Sequence, residues 1–196
     1  GHAPSQIQKT IGDYSEMFQT LFSGSNFNFV SYDIESLVFP ESPFDAEGWL
    51  ITGSRHGVYE DHKFIQPLEE FIRRVEEEKI PLLGICFGHQ IIAQALGGKV
   101  EKFSGGWSVG LKEYKWGNER LHLNAWHQDQ VIKKPKKAKV LAENSFCKYA
   151  ALSYGDTILT TQPHPEFTNE VIKGLIKTRG KGRVPEHLLD EALNNI

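Results

Sequence analysis

The sequence predicts an α/β protein whose sheet is covered by helices on both of its faces. Segments with strand and helix patterns alternate over the first part of the chain, and a near-continuous apolar strand lies at residues 80–85. A β-rich stretch at residues 99–161 then precedes two further helical segments. Alternating strands and helices are typical of α/β domains, and apolar strands without polar alternation are typical of parallel sheets that are buried on both sides.

The first part of the chain contains four segments with clear periodicity before the apolar strand. Residues 12–22 place aromatic and aliphatic side chains at helical spacing, with Asp13 as the predicted N-cap. Residues 27–34 alternate apolar and polar side chains and are rich in β-forming residues, which predicts a strand. A short buried strand is predicted at 48–54, and an amphipathic helix is predicted at 61–79.

The chain then continues with one strand and one helix before its character changes. The strand at 80–85 leads into a helix at 89–96, which two glycines end. Six short β-rich runs follow: KVEKF, VGLKEYKW, RLHLNAW, KVLAEN, YAALSY and TILTTQ. Helices are predicted again at 167–179 and 185–196. The β-rich runs therefore interrupt an otherwise alternating α/β pattern.

Length and charge limit the classes of protein that this chain can represent. With 196 residues, of which 39% are hydrophobic, it can build the core of one domain, residues 1–196, but not of two large ones. The net charge of -3 does not favour nucleic acid or an anionic membrane as a partner. The sequence contains neither an apolar run of membrane-spanning length nor a secretory signal, so we expect a cytoplasmic protein.

We expect neither a nucleotide cofactor nor a metal ion. The sequence contains no Walker loop and no G-x-G-x-x-G motif that would bind phosphates. The two cysteines, Cys86 and Cys147, form no C-x-x-C pair for zinc or redox chemistry, and Cys147 is interpreted as a buried small hydrophobic residue. Five histidines show no metal-ligand spacing: His2, His56, His62, His122 and His187.

A cysteine lies at the predicted junction between a strand and a helix. Cys86 is flanked by Gly84 and Gly88, in the pattern that exposes a nucleophile on a sharp strand-to-helix turn. The helix N-terminus favours the thiolate, and the N–H of Phe87 is placed to donate to a developing oxyanion. A buried, inert cysteine is the alternative interpretation of this motif alone.

The segment TTQPHPEF provides a candidate base and a group to orient it. Pro165 favours an extended conformation at His164. In an extended chain His164 and Glu166 lie on the same side because they are two residues apart. The carboxylate can then hold the imidazole in the tautomer that a nucleophilic cysteine requires. We therefore predict a catalytic triad of Cys86, His164 and Glu166.

The segments LLGICFGHQIIAQALGGKV and QPHPEF resemble those of the class I, or triad, glutamine amidotransferases. The segments WLITGSRHGVYED and NAWHQDQV agree with secondary motifs of the same family. The resemblance extends over nearly the whole chain and is closer to stand-alone proteins similar to the glutaminase domain of GMP synthase. It implies a flavodoxin-like, doubly wound, mostly parallel sheet with a site at the carboxyl ends of its strands.

The resemblance also implies a role for each candidate residue. Cys86 would attack the side-chain amide of glutamine, His164 would pass a proton to the leaving ammonia, and water would release glutamate from a γ-glutamyl thioester. Gly53 and Phe87 would donate two oxyanion hydrogen bonds from their backbone. The residues implied to bind substrate are Gln90, Trp107, Ser108, Val109 and His127.

Three functions remain open on the sequence alone. A glutaminase that depends on a partner would deliver ammonia to a synthase, whereas a self-sufficient hydrolase would act on other γ-glutamyl compounds. An elbow cysteine can also serve redox sensing or chaperone-like binding without turnover, although the His-Pro-Glu segment argues against this. Relatives usually open with an apolar strand before a loop such as residues 1–4, so we expect this sequence to lack that strand and a few C-terminal residues.

Overall fold

The structure, a computed structural model, describes residues 1–196. Its six α-helices are α1 (Ser5–Gln8), α2 (Tyr14–Leu21), α3 (Ile65–Glu77), α4 (Phe87–Ala95), α5 (Asn169–Leu175) and α6 (Glu186–Asn194). Its nine strands are β1 (Trp49–Ile51), β2 (Leu82–Ile85), β3 (Lys99–Lys102), β4 (Ser108–Trp116), β5 (Glu119–His127), β6 (Asp129–Lys133), β7 (Ala138–Glu143), β8 (Ala151–Tyr154) and β9 (Ile158–Thr161). None of the helices is both long enough and apolar enough to span a membrane.

Seven strands form one mixed sheet in the order β1-β2-β9-β8-β7-β4-β5. Strands β1, β2 and β9 are parallel, whereas the pairs from β9 to β5 are antiparallel. The strands β3 and β6 form a separate two-stranded sheet. The α/β fold class is confirmed, and β3 to β8 form the β-rich insertion because β9 returns to pair with β2. Only the three strands at one edge of the sheet, β1, β2 and β9, are parallel to one another.

Helices cover both faces of the parallel strands, as predicted. Successive side chains of a strand point to opposite faces, and two neighbouring leucines of β2 illustrate this. Leu82 belongs to the largest buried cluster, together with Ile72 of α3 and Ile92 of α4. Leu83 packs against the cluster that contains Phe18 of α2. Burial of a side chain such as Ile72 stabilises the fold by about 1.5–3 kcal/mol.

The first long helix begins where the sequence predicts it. The Asp13 side chain accepts a hydrogen bond from the N–H of Tyr14 at 2.8 Å, and the Glu16 side chain accepts one from the N–H of Asp13 at 2.7 Å. This capping box satisfies donors at the helix end that have no partner within the helix. The α2 residues Met17 and Phe18 then pack into the core.

The prediction of a strand at residues 27–34 is wrong. Residues 27–32 form no hydrogen-bonded strand, and a 3₁₀ turn at Ile34–Ser36 follows them. Phe27 is 63% exposed and Val30 is 76% exposed, so the alternating apolar side chains do not enter a core. Alternation and β-forming residues specify a strand only where a neighbouring strand accepts its hydrogen bonds. Here the aromatic side chains pack locally, with the rings of Phe27 and Phe29 6.2 Å apart.

Three smaller differences concern the ends and number of elements. The short helix α1 and the strand β6 were not predicted, because four and five residues give too little periodicity. Helix α3 begins at Ile65 rather than at Asp61, since residues 61–62 have no regular structure and residues 63–64 form a turn. Helix α5 ends in a five-residue π-helical turn at Ile176–Gly180. None of these differences changes the order of the core elements.

Candidate active site

The carboxyl ends of β1, β2 and β9 lie side by side because these strands are parallel neighbours. Gly53 follows β1, Cys86 follows β2, and His164 follows β9. Ligands of open α/β sheets bind outside such strand ends. The topology therefore brings together three candidate residues that are far apart in the sequence.

Cys86 has a backbone conformation that non-glycine residues rarely adopt. Its φ is 53° and its ψ is -100°, at the N-cap of α4. Such a conformation costs about 1–3 kcal/mol and persists only where the surroundings enforce it. The N–H of Cys86 donates to the carbonyl oxygen of Thr161 at 2.8 Å, which fixes the turn to the end of β9. The side chain is thereby held between the two strand ends.

The two flanking glycines are required by contacts with neighbouring backbone and side chains. A Cβ on Gly84 would lie 2.5 Å from Cδ1 of Ile92 and 2.8 Å from the carbonyl carbon of Gly88. A Cβ on Gly88 would lie 2.1 Å from the carbonyl oxygen of Ile51. These separations are shorter than any real Cβ contact, so only glycine fits at either position. The expectation that the glycines remove Cβ clashes is confirmed.

His164 and Glu166 form a buried pair in the loop after β9. Nδ1 of His164 lies 2.7 Å from Oε1 of Glu166, and both side chains are buried. The N–H of His164 donates to the carbonyl oxygen of Asn124 at 2.8 Å, and the ring stacks on Phe167 at 3.8 Å between centroids. The imidazole is therefore held by a carboxylate and an aromatic ring, and the backbone that carries it is fixed to a neighbouring strand.

The electrostatics of this pair favour a protonated imidazole. Burial by itself would lower the pKa of His164, but the charges of Glu166 and Cys86 and hydrogen bonds to both raise it to about 10. An imidazolium in this position can stabilise a neighbouring thiolate and can donate a proton to a leaving group.

The two predicted oxyanion donors lie on either side of the cysteine. A Cβ on Gly53 would lie 3.0 Å from Cε1 of His164 and 3.8 Å from Cβ of Cys86, so Gly53 borders both residues. The N–H of Gly53 makes no backbone hydrogen bond. Phe87 is the first residue of α4, where an N–H has no partner within the helix. Neither amide has a backbone partner, as an oxyanion donor requires, and the role of both remains a prediction.

Gln90 lies in a buried polar network on the first turn of α4. Its amide nitrogen donates to the carbonyl oxygen of Asp129 at 2.8 Å and to Oε1 of Gln162 at 3.0 Å. Both amide hydrogens are thus used within the protein, and its carbonyl oxygen is the group left for a ligand. The predicted substrate contact of Gln90 remains a prediction.

The segment 107–109 meets His127 across two paired strands. Ser108 of β4 lies opposite His127 of β5, and both are buried. Trp107 packs against Trp126 with ring centroids 6.4 Å apart, whereas the side chain of Val109 packs in a cluster with residues of α6. The arrangement leaves mainly the backbone of Val109 to contact a ligand.

His127 is a buried, neutral histidine. Neither ring nitrogen has a hydrogen-bond partner in the protein. Burial, followed by the charge of His164, lowers the pKa of His127 to about 3. Two unpartnered polar atoms in the interior are costly unless a ligand or water contacts them. This observation is compatible with the predicted role of His127 in substrate binding, which remains a prediction.

Two polar residues of the site were not predicted from the sequence. Asn124 donates from Nδ2 to the carbonyl oxygen of Phe167 at 2.8 Å and so fixes the loop that carries His164. Gln162 is fully buried beside Gln90. Asn124 lies within β5 and Gln162 directly follows β9, and neither residue stands out in RLHLNAW or TILTTQ until the strands have been aligned.

A cavity lies beside the candidate site rather than at Cys86. Its volume is about 740 Å³, and its lining includes the segment 105–108 together with Lys112, Arg120 and His187. Neither Cys86 nor His164 lines this cavity. Its contact with the candidate site is therefore through Trp107 and Ser108.

The fold and the site define an α/β protein with a cysteine at a strand-to-helix elbow and a buried His–Glu pair at the next strand end. A sequence model described as glutamine amidotransferase class-I matches residues 23–177. The chain therefore belongs to the class-I glutamine amidotransferase family.

Several curated relatives and solved structures are similar to this chain. Gamma-glutamyl peptidase 4 of Arabidopsis thaliana is 32% identical over 185 residues, which are 86% of this chain and 74% of the relative. One subunit of the glutamine-hydrolyzing GMP synthase of Methanocaldococcus jannaschii is 34% identical over 116 residues, which are 52% of this chain and 62% of the relative.

Two crystal structures show the same fold. A glutamine amidotransferase from Thermotoga maritima aligns with a TM-score of 0.75 and 24% identity, covering 93% of this chain and 85% of that one. A glutamine amidotransferase from Methylobacillus flagellatus aligns with a TM-score of 0.79 and 19% identity, covering 87% of this chain and 74% of that one.

Proposed function

We propose that this protein is a cysteine-dependent amidohydrolase that cleaves the γ-amide bond of γ-glutamyl compounds. Cys86 is the nucleophile, His164 carries the proton, and Glu166 orients the imidazole. The observation that carries the proposal is the 2.7 Å contact between His164 and Glu166 beside the strained elbow cysteine. This arrangement of nucleophile, base and orienting group is the one that covalent acyl transfer requires.

In the first step, the Cys86 thiolate attacks the γ-carbonyl carbon and a carbon–sulfur bond forms. The carbonyl oxygen becomes an oxyanion, which the N–H groups of Gly53 and Phe87 stabilise. The carbon–nitrogen bond then breaks as the His164 imidazolium donates a proton to the leaving nitrogen. The products of this step are a free amine or ammonia and a γ-glutamyl thioester.

In the second step, water hydrolyses the thioester. Neutral His164 accepts a proton from the attacking water, and the oxyanion forms again in the same site. Collapse of this intermediate breaks the carbon–sulfur bond, so that glutamate leaves and Cys86 returns to the thiolate. The cycle consumes one water molecule and needs no cofactor.

We favour a γ-glutamyl hydrolase that acts without a partner. The relatives named gamma-glutamyl peptidases match 85–86% of this chain in two of the alignments, whereas the GMP synthase relative matches 52%. That second relative supports the other candidate, a glutaminase that delivers ammonia to a synthase partner. The two functions share their chemistry and differ in the leaving nitrogen and in the need for a partner.

The decisive experiment measures glutamate release from glutamine and from a γ-glutamyl dipeptide by the purified protein. Cys86→Ala removes the nucleophile, and Cys147→Ala serves as a matched control because Cys147 is also buried. We expect release from the dipeptide that is lost in Cys86→Ala and kept in Cys147→Ala. Dipeptide turnover that is retained in Cys86→Ala would rule out Cys86 as the nucleophile.

Two other outcomes separate the remaining functions. Turnover only after a synthase is added would support the partner-dependent glutaminase. No turnover of any amide, combined with ready oxidation of Cys86 to a sulfinic acid, would instead favour a redox-sensing protein.

A further inference from the structure

Two histidines and a glutamate converge in the loop between β1 and α3, outside the candidate active site. The ligand atoms of His56, Glu60 and His62 all lie within 4.8 Å of one another. Nε2 of His62 is 2.9 Å from Oε2 of Glu60, and Nδ1 of His56 is 3.9 Å from the same oxygen. We propose that these three residues form a binding site for a divalent transition-metal ion of the zinc class.

The separations of these atoms fit a tetrahedral metal site. With metal–ligand bonds of about 2.0–2.2 Å, the ligand atoms of a tetrahedral zinc site lie on average about 3.4 Å apart. The two distances to Glu60 are on either side of this value, so small side-chain rotations complete the geometry. Two imidazoles and one carboxylate are ligands that zinc and its neighbours prefer, whereas magnesium and calcium favour oxygen ligands alone.

A second carboxylate lies behind one of the histidines. Oε2 of Glu35 is 3.4 Å from Nε2 of His56, the ring nitrogen opposite the one that faces Glu60. Metal-binding histidines commonly donate their other N–H to a carboxylate, which fixes the tautomer and the ring orientation. Nε of Arg55 also lies 3.4 Å from this nitrogen. With a metal on Nδ1, Nε2 carries a proton and donates to Glu35, and Arg55 turns to solvent.

The two imidazole rings are already held in place by their neighbours. His62 stacks on Phe64 with centroids 5.3 Å apart and an interplanar angle of 8°, and His56 packs against the same ring at 5.7 Å. Little side-chain freedom remains to be lost when an ion binds, which favours affinity.

An ion in this site would restrain the loop that begins at the candidate oxyanion glycine. Oγ of Ser54, the residue after Gly53, donates to Oε1 of Glu35 at 3.1 Å, and the N–H of His56 donates to Oγ of Ser54 at 3.3 Å. The proposed ligand His56 and the residue next to Gly53 thus share one carboxylate. The metal would connect this loop to the start of α3.

The test is a calorimetric titration of Zn²⁺ into the Cys86→Ala protein, in which the elbow thiol cannot compete for the ion. We expect saturable binding of one ion per chain. His62→Ala should abolish it, whereas His122→Ala should not change it, because His122 lies exposed on β5. Glu35→Gln should weaken it by about 10-fold to 100-fold, as expected for a carboxylate behind a metal-bound histidine.

A parallel measurement of the unfolding temperature keeps the result interpretable. The parent here is the Cys86→Ala protein. The side chains of His62 and Glu60 both reach solvent, so adding His62→Ala or Glu60→Gln should leave the unfolding temperature of the parent unchanged in a metal-free buffer. Zinc should raise that temperature in the parent and in His122→Ala, but not in the two ligand variants. Absence of saturable binding by the parent, or equal affinity in the parent and in His62→Ala, would overturn the proposal.

Discussion

The proposed chemistry depends on one strained residue and one buried polar pair. Cys86 has a φ of 53°, and such strain persists in folded proteins where surrounding contacts enforce it. The His164–Glu166 pair is buried, which is costly unless the two groups satisfy each other. Neither feature improves a core that could be filled by apolar side chains. Their coincidence at neighbouring strand ends is therefore best explained by catalysis.

The two cysteines should differ sharply in reactivity. Cys147 lies in an apolar cluster, and burial raises its pKa to about 12, so its thiolate is scarce at neutral pH. Cys86 lies at the N-terminus of α4, and both Cys86 and His164 border Gly53, so the proposed base lies beside its thiol. Brief treatment of the folded protein with iodoacetamide, read by peptide mass spectrometry, should label Cys86 much faster. Faster labelling of Cys147 would contradict the prediction that Cys86 is the more reactive cysteine.

Replacement of the base should cost more than replacement of its orienting group. His164→Ala removes the proton carrier, which typically contributes about 10²–10⁴-fold to a rate. Glu166→Gln should cost less, because the imidazole still stacks on Phe167 and the backbone of His164 stays bonded to Asn124. Steady-state kcat/KM for the γ-glutamyl dipeptide measures both losses, and equal losses would argue against this order of roles.

Glu166→Gln should also change the dependence of kcat/KM on pH. Burial lowers the pKa of His164, and the charge of Glu166 is the first of the effects that raise it to about 10. Loss of that charge in Glu166→Gln must lower the pKa. The alkaline limb of the kcat/KM profile, where the imidazolium loses its proton, should therefore move to lower pH. An unchanged limb would mean that Glu166 does not control this proton.

At the level of elements, the elbow depends on the close approach of α4 to β1. A Cβ at position 88 would lie 2.1 Å from a backbone oxygen of β1, and backbone cannot move aside as a side-chain end can. Gly88→Ala should therefore lower the free energy of unfolding by about 1–3 kcal/mol, the usual cost of overpacking. Urea unfolding measures this change, and slower alkylation of Cys86 should accompany it.

Gly48→Ala is the matched control for that substitution. A Cβ on Gly48 would lie 3.4 Å from Pro81, which is an ordinary contact, and its φ is not in the left-handed region. Its free energy of unfolding should therefore change little. Similar losses in the two variants would show that the close approach at Gly88 is not what restricts the elbow.

Most elements of the fold were predictable because their signals are local. The capped start of α2 at Asp13 and the apolar face of α3 are properties of a few consecutive residues. The strand predicted at 27–34 failed because pairing depends on a neighbour that a local pattern does not contain. The mixed character of the sheet has the same origin, since β9 pairs in parallel with β2, across the whole insertion, and antiparallel with β8.

At the scale of the whole molecule, the site was predictable where its residues are close in sequence. The elbow and the His-Pro-Glu segment are compact motifs, and their geometry follows from glycine, proline and strand spacing. Asn124 and Gln162 support the site through contacts with partners 43 and 72 residues away, so no spacing rule reveals them. The cluster of His56, Glu60 and His62 was missed because a turn, rather than a helical or strand repeat, brings its ligand atoms together.

The C-terminal helix supports the segment that is predicted to bind substrate. Helix α6 packs on β4, where Leu189 and Ala192 form a buried cluster with Val109. A Cβ on Gly110 would lie 2.7 Å from Cβ of Ala192, so the helix and the strand are in close contact. Residues near the end of the chain thus determine how firmly the backbone of 107–109 is held.

This support can be tested by shortening one side chain of α6. Leu189 is 7% exposed, whereas Leu193 on the same helix is 43% exposed. Leu189→Ala should leave a cavity behind β4, destabilise the fold by about 2–5 kcal/mol and loosen the substrate segment. Because that segment is proposed to contact the substrate both before and during the reaction, KM for the dipeptide should rise more than kcat falls. Leu193→Ala should change neither KM nor kcat. Both variants are measured at a temperature where circular dichroism shows that they are folded. An unchanged KM in Leu189→Ala would show that α6 does not support substrate binding.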